Sequence, residues 1–438
     1  MTCEVAIANR LGIALAADSA VTFSGAGHQT TYASGANKIF QLATNEPVAV
    51  MVYNNASLNG VPWELIIKTY RKKLGEGGFP TLRSYCDDLT QFLNTCPEAL
   101  VTPVLKRSAS EDAYRTGFFY VIKSLIAAQP LLEQKDAAGA DLNTAWEAAS
   151  AEFQGRLDGA EVVPSLSLED LNQALVEALV PLSQEITEWL QDDANAHLLP
   201  VVDTGAIARM AIASAFKFGP IFLGTGFTGM VIAGFGRDEF LPGYCDIRFH
   251  GFVGTRVLST QGDDRAIDYE NRPSLIQAFA RQAMVETFTQ GASPQVWKAV
   301  SEAYDKWTAE VCRSAASAAG VALSEENIQN AIAQNRDSFT EGWTYAVFDE
   351  HLKPLWRVVA GLNIEELAEL AETLVLLESL KEKVTLRTQS VGGPIDVAVI
   401  TKSEGLVWIK RKLYFEPHLN HRYFQRLGQL NGVNHESP

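Results

Sequence analysis

Two residues in the opening stretch "MTCEVAIANRLGIALAADS" could do chemistry. Thr2 would become the first residue if Met1 were removed. An N-terminal threonine then carries its own nucleophile, the hydroxyl, and its own base, an α-amine with an unperturbed pKa of ~8. That neighbour is needed, because a threonine hydroxyl is a weak nucleophile near neutral pH. The small side chain after Met1 favours removal of the methionine alone, with no propeptide. Asp18 ends a long apolar run, where a carboxylate is costly to desolvate unless a cation meets it. The chemistry would be nucleophilic catalysis through a covalent intermediate. Taken singly, each residue is ordinary: a small second residue and a turn residue at a strand end.

Other constellations point elsewhere more weakly. "GTGFTG" at Gly224 to Gly229 satisfies G-x-G-x-x-G. It runs into strand-like "MVIAGFG" and not into a helix whose N-terminus could hold a pyrophosphate, so a tight turn is expected. His418 and His421 resemble a metal pair without a third ligand at suitable spacing, so no metal is expected. Cys3 alternates with Val5 and Ile7 on an apolar strand face, with Glu4 opposite, and reads as a buried structural thiol. The five cysteines are odd in number and form no C-x-x-C pair, which argues against a disulfide framework and a zinc site and fits a reducing cytoplasm.

The 438 residues carry 52 Asp plus Glu against 36 Lys plus Arg, a formal net charge of −16. A nucleic-acid or anionic-membrane partner would need a local basic patch to overcome that field. The dense candidate, "WIKRK" at Lys410 to Lys412, sits inside a strand-like segment and reads as a solvated face. The first residues lack a basic n-region and carry Glu4 and Arg10, so no secretory signal is expected. No charge-free apolar stretch suggests a membrane span.

The elements that must position Thr2 and Asp18 can be read from periodicity. Alternation through Cys3, Val5 and Ile7, a turn at Asn9 to Gly12, and the continuous run "IALAAD" predict a hairpin whose second strand is buried on both faces. "KIFQL" and "VAVMVY" predict two more strands. Trp63, Ile66, Ile67, Tyr70 and Leu74 predict a helix ended by Gly75. From about 81 to 218 the pattern is helical, including a capping box at Ser167 and Asp170 and a kink expected at Pro181. Strands return at "MVIAGFG" and "YCDIRFHGFVG". Helices are expected from about Pro273 to Asn335 and again after Asn363, whose Glu366 completes a second capping box. "IDVAVI" and "GLVWIKRKLYF" predict a closing strand pair. That order predicts an α+β layered sandwich with helical insertions.

"TCEVAIANRLGIALAADS", "NKIFQL", "MVIAGFG" and "SVGGPIDVAVITKSEGLVWI" together resemble the proteasome β-subunits and bacterial proteasome-type peptidases of the N-terminal-nucleophile hydrolase superfamily. The matching pieces lie mostly at the two ends of the chain, and the helical insertions have no counterpart in that pattern. The resemblance implies a four-layer αββα sandwich. It divides the chain into 1–80, the nucleophile hairpin, lysine strand and first helix; 81–218, a helical insertion; and 219–438, the second sheet, further helices and closing strands. It implies Thr2 as nucleophile, and Lys38 as the catalytic lysine, ion-paired with Asp18. Backbone N–H groups near Tyr53 and Asn54 would face the oxyanion, with Ser19 and Ser390 in support. The sequence departs from the family at "YNNAS", where the family has a glycine at the oxyanion turn, and at "RTQSVGG", where Thr388 stands in place of an aspartate and Ser390 is shifted by one.

The implied activity is a threonine peptidase or amidohydrolase that cleaves amide bonds, those of peptides or unfolded protein, through an acyl-threonine ester, without cofactor. The implied protein is a cytoplasmic homo-oligomer, a ring or helical stack, with any unfoldase partner unidentified and no nucleic-acid or membrane partner. Two other readings remain: a non-catalytic assembly or peptide-binding relative, and a small-molecule amidase of the same fold.

Overall fold

The alternation of the opening residues becomes β1 (Cys3–Asn9), and the apolar run becomes β2 (Gly12–Ala17). They join through a turn held by Asn9, whose Oδ1 accepts from the Leu11 N–H at 2.9 Å. Its Nδ2 donates to the carbonyls of Val359 and Leu362 at 3.0 and 2.8 Å. Gly12 is required there, since a Cβ would lie 2.5 Å from the Ile400 carbonyl oxygen. In this computed structural model, which describes residues 2–24, 30–137, 139–224, 226–385 and 392–430, the remaining strands of the two large sheets come in chain order. They are β3 (Ile39–Gln41), β4 (Val48–Tyr53), β5 (Thr228–Gly234), β6 (Gly243–Val253), β7 (Arg256–Ala266), β8 (Ser274–Ala280), β9 (Asp396–Thr401) and β10 (Gly405–Lys410). With the helices between them they make a mixed α+β chain.

The first sheet runs β8-β1-β2-β9-β10 and the second β7-β6-β5-β4-β3. Both strands of the opening hairpin are therefore interior, and every residue of β2 is buried. Cys3, Val5, Ile7, Ala14 and Ala16 pack with Leu367, Ala371, Leu374 and Val375 of the helix Ile364–Thr385. Each fully buried valine, leucine or isoleucine among these contributes about 1.5–3 kcal/mol. That helix begins in the expected capping box: the Asn363 N–H donates to Glu366 at 3.0 Å, and the Glu366 N–H donates to Asn363 at 2.9 Å.

In the second sheet, Val50, Val52, Met230 and Ile232 share a core with Trp63, Ile66, Ile67 and Tyr70 of the helix Trp63–Leu74 and with Tyr85, Leu89 and Phe92 of Leu82–Thr95. The helices Pro103–Ala128, Gly139–Gly159, Leu168–Leu190 and Thr204–Lys217 enclose another core around Phe118, Trp146, Phe153, Ile186 and Phe216. Ser167 caps Leu168–Leu190 by accepting from the Asp170 N–H at 3.1 Å, and the helix continues through Pro181. The chain divides into two compact units, residues 1–39 with 267–438, and residues 40–266.

One expectation changes, and one strand appears where none was expected. The segment from Pro273 is not helical at its start: "SLIQAFA" forms β8, pairing residue for residue with β1 from Ser274 opposite Asn9 to Ala280 opposite Cys3. Helices begin only at Ala283 and then continue past Asn335 to Gly361. The polar stretch Arg256–Ala266, which has no apolar alternation, is the edge strand β7, held by its pairing with β6. Among the described residues no helix is long and apolar enough to cross a membrane.

Candidate functional site

The end of β2 brings four of the singled-out residues together within the first unit. Asp18 is 1% exposed, and its carboxylate collects four donors. Oδ1 accepts from the Cys3 N–H at 3.1 Å and from Lys38 Nζ at 2.5 Å. Oδ2 accepts from the Ala20 N–H at 3.2 Å and the Gly392 N–H at 2.9 Å. A buried carboxylate is tolerated when its lone pairs are filled in this way. Ser19 completes the clamp. Its N–H donates to the Gly392 carbonyl at 3.2 Å, and its hydroxyl donates to the Pro394 carbonyl. The Ser19 carbonyl accepts from the Gly35 and Ala36 N–H groups at 3.0 and 3.2 Å. Those two residues lead directly to Lys38. Gly393 takes φ of 79°, a left-handed conformation that suits glycine, in the turn before β9. Ser390 and Thr388 lie outside the described residues.

Lys38 is 6% exposed and touches a second carboxylate that sequence reasoning left on a strand face without a role. Glu4 Oε1 lies 3.2 Å from Lys38 Nζ. Glu4 pairs with Ala17 on one side and Phe279 on the other and has no exposed surface. Burial pushes its carboxyl up to about 7, against the downward pull of Lys38 and with an upward push from Asp18. The signal available in the sequence was a glutamate flanked by Ala6 and Ala8 on its own face, which marks that face as apolar as well.

Thr2 is 4% exposed. Its carbonyl accepts from the Arg281 N–H at 3.1 Å, directly after Ala280, a non-glycine residue with φ of 57° that stands opposite Cys3. Arg281 is in turn 3.2 Å from the Glu382 carboxylate. The Thr2 hydroxyl makes no full hydrogen bond among the described residues, nor does either Glu4 oxygen, although the nearby threonine exerts a lesser downward pull on the Glu4 carboxyl. Cys3, facing the helix Ile364–Thr385, has its thiol pushed well up by burial and then by Glu4, which suits an inert core thiol.

Tyr53 and Asn54 belong to the second unit. The Tyr53 hydroxyl donates to the Asp246 carboxylate, 2.9 and 3.0 Å from its two oxygens, while Arg248 Nε lies 3.5 Å from the same group. Burial first, then Asp246, pushes the phenol up, and burial raises Asp246 itself to about 6. The Tyr53 ring occupies the space beside Gly229, where a Cβ would come within 1.8 Å of it, so this last glycine of the G-x-G-x-x-G stretch is required by packing inside β5. Asn54 takes φ of 70°, and its Nδ2 donates to the Phe227 carbonyl at 2.7 Å. Asparagine enters the left-handed region more easily than other side-chain-bearing residues. It therefore supplies a conformation usually given by glycine.

The remaining candidates have structural partners or none. Lys410 pairs with Glu372, and Lys412 with Asp396, so two of the basic residues of "WIKRK" are neutralised locally. His418 is exposed in the short helix Pro417–Leu419, and no cluster of three or more metal-ligating side chains occurs among the described residues. No protein-family profile matches the chain, and no curated protein matches it. Among solved structures it is similar to the Anbu (Gly-1) mutant from Hyphomicrobium sp. strain MC1, at 10% identity over 100% of each chain and a TM-score of 0.27, a likeness too slight to decide fold or activity.

Proposed function

We propose that this chain is an N-terminal-threonine hydrolase of αββα architecture that cleaves amide bonds, those of peptides first, once Met1 has been removed. The observation that carries the reading is the buried ion pair of Lys38 and Asp18, anchored by the Gly392 N–H, at the strand end beside Thr2. A lysine ammonium held there favours the alkoxide that develops as the threonine attacks. Thr2 Oγ1 adds to the acyl carbon, the C–N bond breaks, and the amine leaves with a proton. Water then hydrolyses the acyl-threonine ester. The resemblance also implies backbone N–H donors for the oxyanion near Tyr53 and Asn54; within its own unit Asn54 takes φ of 70°, a conformation usually given by glycine. A homo-oligomeric ring or stack is the assembly that goes with this reading.

Intact mass of untagged protein, before and after exposure to a β-lactone, tests it. The expected result is loss of one methionine and a single adduct that Thr2→Ala abolishes. Retained Met1, or a bare Thr2 that never reacts, would leave the chain as a non-catalytic relative. Turnover that rises with peptide length would separate a peptidase from a hydrolase of small amides.

A further inference from the structure

The proposed site holds one more buried carboxylate than it has cations. Asp18, with four donors, is fully occupied. Glu4 is the other: wholly buried, in contact with Lys38, its two oxygens free of any full hydrogen bond among the described residues, and neighbour to a Thr2 hydroxyl in the same condition. A buried carboxylate met only by a cation it must share is destabilising, and hydrophobic replacement would usually be the more stable choice. Residues 2 and 4 stand two apart, the spacing that puts side chains on one face of a strand. The orphaned hydroxyl and the orphaned carboxylate therefore share a face as well as a deficit.

We infer that Glu4 is the proton acceptor for Thr2. As Oγ1 bonds to the acyl carbon, the hydroxyl proton moves to Glu4, directly or through one water; as the C–N bond breaks, the same proton passes to the departing amine, which restores the carboxylate. This rests on the Thr2 reading above. It replaces the free α-amine as the base. A base is most effective when its pKa lies near the working pH, and burial holds Glu4 close to 7. Beside burial, the groups that act on this value are Lys38 from the segment before β3, Asp18 just after β2 and Thr2 just before β1. The freed α-ammonium would add a further downward pull. Lys38 is then shared: it holds Asp18 permanently and releases its hold on Glu4 whenever Glu4 is protonated.

The test measures the rate of β-lactone adduct formation on Thr2 by intact mass between pH 5 and 9, for the wild type, Glu4→Gln and Glu4→Asp, with Thr2→Ala as the blank. In the lactone the acyl–oxygen bond opens, and the proton from Thr2 ends on the released hydroxyl. The wild-type rate should climb through a midpoint near pH 7. Glu4→Gln should be slower by about 100-fold or more at pH 8 and lose that limb. Glu4→Asp, with its carboxylate on a shorter arm, should keep the limb at a rate reduced about tenfold or more, and it decides the matter if Glu4→Gln fails to fold. A folded Glu4→Gln, or Glu4→Asp, that reacts at the wild-type rate with an unshifted limb overturns the role of Glu4 and leaves the Thr2 nucleophile standing. A wild type that forms no adduct overturns the nucleophile reading, and the role of Glu4 with it.

Discussion

Asp18 and Asp246 are buried carboxylates in different units, and their surroundings are built on different principles. Asp246, inside β6, takes a neutral donor from Tyr53 and a half-exposed arginine at 3.5 Å, so its charge is roughly balanced and its neighbour is a ring packed over glycine. Asp18, at the end of β2, takes a lysine and three backbone N–H groups, yet that lysine is also claimed by Glu4. The second unit uses its polar atoms to hold strands and a turn in place. The first concentrates an excess of negative charge beside an unengaged hydroxyl, an arrangement that structure alone does not require.

Removing the shared cation should break the comparison most severely. Lys38→Met would leave two buried carboxylates facing each other, and a loss of about 3–5 kcal/mol is expected in a denaturant titration at pH 7, together with loss of lactone reactivity. The defect should shrink at pH 5, where Glu4 takes up a proton. A defect independent of pH would mean that Glu4 and Lys38 are not coupled.

Next in size is the pH dependence that Glu4 imposes. Its folded value of about 7 lies above the ordinary 4.5. The folded state therefore binds the extra proton, and stability present below about pH 4.5 is lost as pH rises through 7. The swing should be on the order of 3 kcal/mol, and Glu4→Gln should remove it, most plainly above pH 6 where Asp246 no longer contributes. Asp246, raised from 3.8 to about 6, acts in the same direction over a lower window. Asp246→Asn should therefore make the curve shallower between about pH 4 and 6, where Glu4 still contributes, and leave the segment from 6 to 7 intact. Melting curves across this range would show whether the two carboxylates titrate as separate devices.

The smallest effect belongs to Tyr53→Phe. It removes the hydroxyl that donates to Asp246, at a cost of about 1–2 kcal/mol for a buried acceptor left short of a partner. Because that hydrogen bond holds Asp246 down, its loss should move the lower titration upward. Lactone labelling of Thr2 should change little if the ring serves packing. A collapse of labelling would mean that Tyr53 matters for more than packing within its own unit.

The hairpin, the turn at Asn9 and Gly12, and both capping boxes were legible because each depends on neighbours within a few residues. Asp18 was legible because an acid at the end of "IALAAD" contradicts its surroundings. Lys38 was readable through its resemblance to a known pattern and not through any local rule. Glu4 escaped because alternation with Cys3, Val5 and Ile7 makes the opposite face look polar, whereas β8 and β9 arrive from distant sequence to complete the sheet around it. For the same reason "SLIQAFA" reads as the start of a helix until its partner, some 270 residues earlier, is known. The left-handed turn at Asn54 was hidden because only its geometry, φ of 70°, reveals that asparagine has taken a glycine's place.

The partners that close around β1 also impose a schedule. Residues 274–280 must be made before β1 gains its second neighbour, and residues 396–401 before β2 does. At roughly 5–20 residues per second, synthesis needs about a quarter of a minute to a minute to reach the first of these. In the completed fold Thr2 is 4% exposed, so an enzyme that needs an extended chain start would have to act within that interval. If Met1 is removed as proposed, that step is a race between a processing enzyme and the ribosome, decided before the fold is complete.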